Sequence, residues 1–303
     1  MIQVENLSKK FADVRAVDGI SFRVEKGRIW GFLGPNGAGK TTTMRILTGY
    51  LPPNEGQARI NGIDVGSDLK AIKRMVGYLP EVVPVYTELT VKEFLRFVAE
   101  LYGIERKKMR FAIERVVEKT NLQGVYGRLI KNISRGYRQR LGIAQAIIHE
   151  PEVLILDEPT IGLDPAQIIE IREMIRSFRE SVTVILSSHI LAEITQVCDG
   201  AVIIKEGRLM ATLTRDEWGK NLEIIAAAPV DDAACSGLKQ SFPVVHEALP
   251  EGPVLKLEFK EPLSDLNPII RYLIDKEVRI KEIKAGREAL YMKIILSEEG
   301  RPS

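Results

Sequence analysis

Cysteine is scarce in this chain. Cys198 and Cys235 are the only two in 303 residues, and they stand far apart in no metal-ligand spacing. That excludes a disulfide scaffold and a thiolate metal site, and it suits a reducing compartment. Long apolar runs are lacking as well. Nowhere do about 18 uncharged apolar residues follow one another, so no segment is expected to cross a bilayer alone, and any membrane role must pass through a partner. The opening MIQVENLSKK holds no apolar stretch of signal-peptide length. An excess of one charge is missing too: the net charge is +2, without a basic block, which gives no footprint for nucleic acid. There is no low-complexity tract or tandem repeat. What remains is 45% apolar and 28% charged residues, in a length that suits one large domain or two smaller ones around a sizeable core.

Against that background one stretch carries chemistry. Gly34-Pro35-Asn36-Gly37-Ala38-Gly39-Lys40-Thr41-Thr42 matches G-x-x-x-x-G-K-[ST] in full. The apolar run Ile29–Leu33 before it reads as a buried strand. Thr41 to Tyr50 after it reads as a helix with Met44, Ile46 and Leu47 inward. Glycines let the backbone curl until its N–H groups converge on phosphate oxygens, and the helix N-terminus adds partial positive charge. Lys40 would reach the β- and γ-phosphates and the Thr41 hydroxyl would bind Mg²⁺. The pattern is that of a nucleotide-binding protein.

The first sixty-odd residues read as β-rich, with Ile20, Phe22 and Val24 alternating and Asn61-Gly62 set as a hairpin turn. From about Glu88 to Gln145 the pattern is helical: Val91, Phe94, Leu95, Val98 and Leu101, then Met109, Ile113, Val116 and Val117. Val153–Leu156 and Val182–Leu186 are short continuous apolar runs, as buried parallel strands are. The amphipathic stretch Ile168, Ile171, Met174, Ile175 and Phe178 between them completes a βαβ unit. Ala201 to Leu213 reads as a hairpin around Glu206-Gly207. Beyond residue 216 a small α+β appendage is expected: strands at Leu222–Ile225, Leu255–Phe259 and Val278–Ile283, a helix at Leu266–Ile274, and helix or strand at Glu288–Leu296.

Three further constellations follow the cradle. Asp157 and Glu158 end the Val153–Leu156 strand; Asp157 is placed to hold Mg²⁺ through water, and Glu158 to orient and deprotonate a water attacking the γ-phosphorus. Ser134 and Gly136 open a helix upstream, a second anion-binding terminus. His189 stands past the strand Val182–Leu186, at a carboxyl strand end where open α/β sheets bind ligands. His149 and His246, by contrast, read as structural.

With these residues in order from about Ile2 to Leu213, the chain resembles an ATP-binding-cassette (ABC) ATPase. The resemblance implies an α/β P-loop NTPase domain over residues 1–215, with an antiparallel β subdomain and a helical subdomain at about 82–145. A small C-terminal α+β domain would occupy 216–303. It implies ATP and Mg²⁺ as cofactors, with Lys40, Glu158 and His189 catalytic and Thr41, Glu81 and Asp157 at the metal. Two nucleotide-binding domains, here a homodimer, would pair head to tail. Ser134 and Gly136 would then act on the partner's ATP, while Gly162 and Asp164 touch the opposite site. Phe11 would stack on adenine with Val17 packing beside it.

Two spellings depart from the family pattern. Ile133, Arg135 and Tyr137 replace the first, third and fifth residues of L-S-G-G-Q, and Glu81 stands where a glutamine is usual. Both, with the appended tail, resemble the ABC-2-type export subset of gliding-motility and multidrug-type subunits. The expected protein is therefore a subunit that hydrolyses ATP for a separate ABC-2-type permease, held on the cytoplasmic face of the membrane through it. The alternative is a soluble cassette of translation or DNA repair. The single ATPase module and the lack of sustained heptads between Lys40 and Ser134 weigh against it. A P-loop kinase or GTPase would not need the Ser134 signature, and no Asn-Lys-x-Asp motif is present.

Overall fold

The computed structural model describes residues 1–215, 220–261 and 266–285. The chain opens with β1 (Ile2–Phe11), β2 (Val14–Val24), β3 (Ile29–Leu33), α1 (Lys40–Leu47), β4 (Glu55–Ile60), β5 (Ile63–Asp64), α2 (Leu69–Met75) and β6 (Val76–Leu79). Then come α3 (Val91–Leu101), α4 (Arg106–Lys119), α5 (Arg135–Ile147), β7 (Val153–Leu156), α6 (Pro165–Arg176), β8 (Thr183–Ser188), α7 (Leu191–Val197), β9 (Gly200–Lys205) and β10 (Arg208–Thr214). The remainder is β11 (Asn221–Ala226), α8 (Asp232–Ser241), β12 (Val245–Glu251), β13 (Val254–Phe259), α9 (Asn267–Asp275) and β14 (Ile280–Ala285). Two compact units divide within β10: Met1–Leu209 and Met210–Ser303.

In the first unit β2-β1-β4-β5 form an antiparallel sheet, and a second sheet has the order β10-β9-β3-β8-β7-β6. Pairs β3–β8, β3–β9, β7–β8 and β6–β7 are parallel. Continuous apolar runs make this possible, because a strand covered on both faces needs apolar side chains on both. Every residue of β7 and β8 is buried accordingly. The alternation in β2 instead turns Ile20, Phe22 and Val24 inward, where they share one core with Phe32 of β3 and Met44, Ile46 and Leu47 of α1. Asn61 and Gly62 both take positive φ, 49° and 85°, as a two-residue hairpin turn requires.

Between β6 and β7 lies the helical region. Thr90 and Glu93 form a reciprocal capping box at the start of α3, whose Val91, Phe94, Leu95 and Val98 are buried. Leu101, expected in that stripe, is 72% exposed: it falls in the last turn at the rim of the apolar face. Helix α5 lies close on β6, where a side chain at Gly77 would overlap the Ala146 carbonyl. His149, just past α5, stacks on Tyr102 at 3.8 Å between ring centroids, and burial lowers its pKa to about 4. His246 is exposed on β12.

The second unit runs β11-α8-β12-β13-α9-β14, with an antiparallel sheet in the order β12-β13-β11-β14. That is the split β-α-β arrangement of ferredoxin-like domains. Ile224, Leu238, Leu255, Leu257, Phe259 and Leu273 fill its core. The expected element at Glu288–Leu296 lies outside the described residues.

Candidate active site

Strand register assembles the site. Leu33 pairs with Ser188, Leu156 with Leu186, and Leu79 with Leu156. The loops after β3, β8, β7 and β6 therefore leave one edge of the sheet side by side, carrying the P-loop, His189, Asp157-Glu158 and Glu81. Carboxyl ends of parallel strands are where such sheets bind ligands.

The P-loop needs its glycines in place. Gly39 takes φ 100° just before α1, and a Cβ there would overlap the Ala16 carbonyl oxygen. No side chain caps α1, which leaves its first amides for an anion. Lys40 is 6% exposed and donates to the carbonyls of Gly34 at 2.8 Å and Pro35 at 3.2 Å. Its ammonium also lies 3.2 Å from Glu158 Oε1.

Glu158 is held from three sides. Its backbone turns through φ 48°. Its amide donates to Ser187 Oγ at 2.9 Å, and its Oε2 stands 3.0 Å from His189 Nδ1. The Ser187 hydroxyl in turn donates to Asp157 Oδ1 at 2.6 Å. Asp157 Oδ2 is buried without a hydrogen-bond partner, an acceptor left for something else. Tyr78 on β6 is pushed up to about 12 by burial, with the Asp157 charge adding to the rise.

A cleft of about 310 Å³ opens here, lined by Asn36, Gly37, Lys40, Thr41, Glu81 and Glu158 among others. Thr42 and Gly39 line it too, while Gly34, Pro35 and Ala38 form the loop beneath. Among the described residues no cluster of three or more acidic, histidine or cysteine side chains could hold a metal by itself. A hydroxyl, carboxylate oxygens and the orphaned Asp157 oxygen, completed by phosphate oxygens, make a hard donor set that fits Mg²⁺.

Other expected residues lie elsewhere. Phe11 is 44% exposed at the end of β1, with Lys9 Nζ 5.4 Å from its ring centroid. Val17, expected to pack beside it, is 1% exposed and lies against Gly39 of the P-loop. Ser134 is the N-cap of α5, its hydroxyl accepting from the Tyr137 amide at 3.3 Å. Gly136 packs against Gln167. Asp164 caps α6 by accepting from the Gln167 amide at 2.9 Å. Gly162 takes φ 67°, and the Arg135 guanidinium lies directly against it. Ser187 was not singled out from the sequence; its place between a buried strand and His189 was the available signal.

A parallel sheet that delivers a phosphate loop, paired carboxylates and a histidine to one edge defines a P-loop ATPase. The ABC transporter family model matches residues 17–161. The bacitracin transport ATP-binding protein BcrA of Bacillus licheniformis is 43% identical over 73% of this chain and 72% of its own length. The ABC transporter ATP-binding protein YcbN of Bacillus subtilis (strain 168) is 33% identical over 98% of this chain and 90% of its own. A solved ATP-binding subunit of an ABC transporter superposes with TM-score 0.64 at 31% identity, over 71% of this chain and 90% of that one. The chain belongs to the ABC transporter family, as an ATP-binding subunit with ATPase activity. No helix among the described residues is long and apolar enough to cross a membrane.

Proposed function

We propose that two copies of this chain close head to tail over two Mg-ATP and thereby drive a separate ABC-2-type permease, for export, from the cytoplasmic face of the membrane. The observation that carries this is the contact of buried Lys40 with buried Glu158 at the phosphate cleft, with the more exposed His189 on the far oxygen of Glu158. Ser134, Gly136, Gly162 and Asp164 do not line that cleft, so a second copy is the natural source of their contacts with phosphate. Bacitracin transport in the 43% identical relative supports export. The second unit, Met210–Ser303, serves as an accessory domain.

Within this reading Lys40 and the loop amides bind the β- and γ-phosphates, exchanging carbonyl and Glu158 contacts for phosphate oxygens. Thr41, Asp157 and Glu81 would hold Mg²⁺, which when bound neutralises phosphate charge. Glu158, freed from Lys40, takes the proton of the attacking water, and His189 fixes its carboxylate. Phe11 offers its exposed ring to adenine.

The permease would dock at a groove of about 830 Å³ lined by Tyr50, Leu69, Lys73, Tyr78, Leu101 and Tyr102 among others. Tyr50 and Leu101 are each 72% exposed there, more apolar surface than a monomer gains by displaying. Leu101→Arg should abolish co-purification with a co-expressed ABC-2-type permease while leaving basal ATPase unchanged. Retained co-purification removes the groove from that role.

Glu81 tests the metal site. It lines the cleft with Thr41 and Glu158 and offers a full negative charge where glutamine offers a neutral carbonyl. Glu81→Gln is therefore expected to raise the Mg²⁺ concentration for half-maximal ATPase by about threefold or more. Transport coupling should fall further than basal turnover. An unchanged Mg²⁺ requirement means that Glu81 does not ligate the ion.

A further inference from the structure

The carboxylate of Glu193, on α7, has no part in the chemistry above, yet it is only 7% exposed. Its Oε2 accepts two hydrogen bonds, from Thr160 Oγ1 at 2.7 Å and from Ser188 Oγ at 2.9 Å. Both donors are buried, at 5% and 0%. Thr160 lies two residues after Glu158, and Ser188 immediately precedes His189. The amide of Ile190, just beyond His189, donates to Ser188 Oγ at 3.0 Å. One oxygen thus ties together the two loops whose side chains meet as Glu158 and His189 at 3.0 Å.

The arrangement is costly as mere packing. A buried carboxylate demands compensation, and Arg172 Nη2 stands 3.8 Å from Oε1, at the long end of an ion pair. An apolar side chain would fill an inward helix position without that demand. What a carboxylate adds here is two directed, charge-assisted hydrogen bonds to two different loops.

We infer that Glu193 is a positioning residue for ATP hydrolysis: by fixing Thr160 and Ser188 to one oxygen it holds Glu158 and His189 at their mutual approach. The inference rests on the assignment of Glu158 and His189 given above. Glu193 does not line the phosphate cleft, so its loss should appear in the chemical step and not in binding.

The experiment compares Glu193→Ala, Glu193→Gln, Thr160→Val and the Glu193→Ala/Thr160→Val double variant with the parent and with Glu158→Gln. It reads kcat and KM for Mg-ATP, the affinity of a fluorescent ATP analogue, and the thermal midpoint. Glu193→Ala should lower kcat about tenfold or more while KM and analogue affinity stay within about twofold. Thr160→Val should lower kcat about threefold, and the double variant should be no worse than Glu193→Ala, because both remove one brace. Glu193→Gln keeps an acceptor oxygen and should recover kcat to within about threefold of the parent. A role confined to fold stability lowers the thermal midpoint and leaves kcat per nucleotide-binding site at the parental value, and that result overturns the inference. If Glu193→Ala does not fold, Thr160→Val decides alone: parental kcat overturns the brace. Glu158→Gln separates the two claims. Substantial turnover in that variant removes the base assignment itself, whereas an inactive Glu158→Gln beside a fully active Glu193→Ala removes only the positioning role.

Discussion

Glu158→Gln is expected to bind Mg-ATP at least as well as the parent and to hydrolyse it about a thousandfold more slowly. Binding depends on Lys40, Thr41 and the amides of the loop, all of which the substitution leaves in place. The backbone of Glu158 is set by its φ of 48° and by the hydrogen bond its N–H donates to Ser187 Oγ, so an isosteric side-chain amide keeps the loop where it is. What disappears is the group that takes a proton. A second consequence follows from the 3.2 Å approach of Lys40 to Glu158: the carboxylate competes with phosphate for the ammonium. Removing its charge should therefore tighten nucleotide binding, the more so because both groups are buried and poorly screened. Equilibrium binding of ATP and steady-state phosphate release measure the two effects on the same preparation. Turnover within a few fold of the parent removes Glu158 as the base.

The parts of this site written contiguously were legible in the sequence. The P-loop must be continuous, because successive amides have to converge on one phosphate group. Asp157 and Glu158 announce themselves because a buried apolar strand ends abruptly in two carboxylates. The assembly by strand order was legible only in outline: continuous apolar runs marked β7 and β8 as parallel and buried, while the placing of β8 between β3 and β7 comes from packing. Ser187 and Glu193 were not legible. Their partners lie about thirty residues away along the chain, at Asp157 and Thr160, and a serine or a helical glutamate is an ordinary residue until the fold supplies its neighbours. Val17 and Leu101 show the limits of pattern reading in opposite directions, one buried and the other exposed. One apolar residue near a loop does not reveal whether it faces ligand or core, and helical spacing alone does not show which end of a stripe runs out into solvent. In the second unit α8 and β12 escaped notice because their buried positions, Ala234, Cys235 and Leu238 in the helix and Val245 and Ala248 in the strand, include few large apolar side chains. Without both, the β-α-β-β-α-β order could not be read.

The assignment of Ser134 to a second copy's nucleotide gives the other large effect. In its own chain the hydroxyl does no more than accept from the Tyr137 amide at 3.3 Å. Loss of such a cap costs about 1 kcal/mol of stability, far too little to abolish turnover in a protein that remains folded. Ser134→Arg should nevertheless be inactive, because the bulky cation takes the place where a partner's phosphate must sit. Lys40→Ala should be inactive through its own cleft. Mixed at equal amounts, the two inactive chains are expected to regain about a quarter of parental turnover: half of randomly formed dimers are mixed, and each mixed dimer joins one doubly defective site to one intact site. Cis action of Ser134 predicts no recovery at all, since every chain then carries its own defect. Light scattering supplies the independent arm. Glu158→Gln should dimerise with Mg-ATP, and Ser134→Arg placed on top of it should not. A Glu158→Gln chain that stays monomeric with Mg-ATP, beside parental turnover that does not depend on protein concentration, rules out the shared site and returns Ser134 to the modest role of a helix cap.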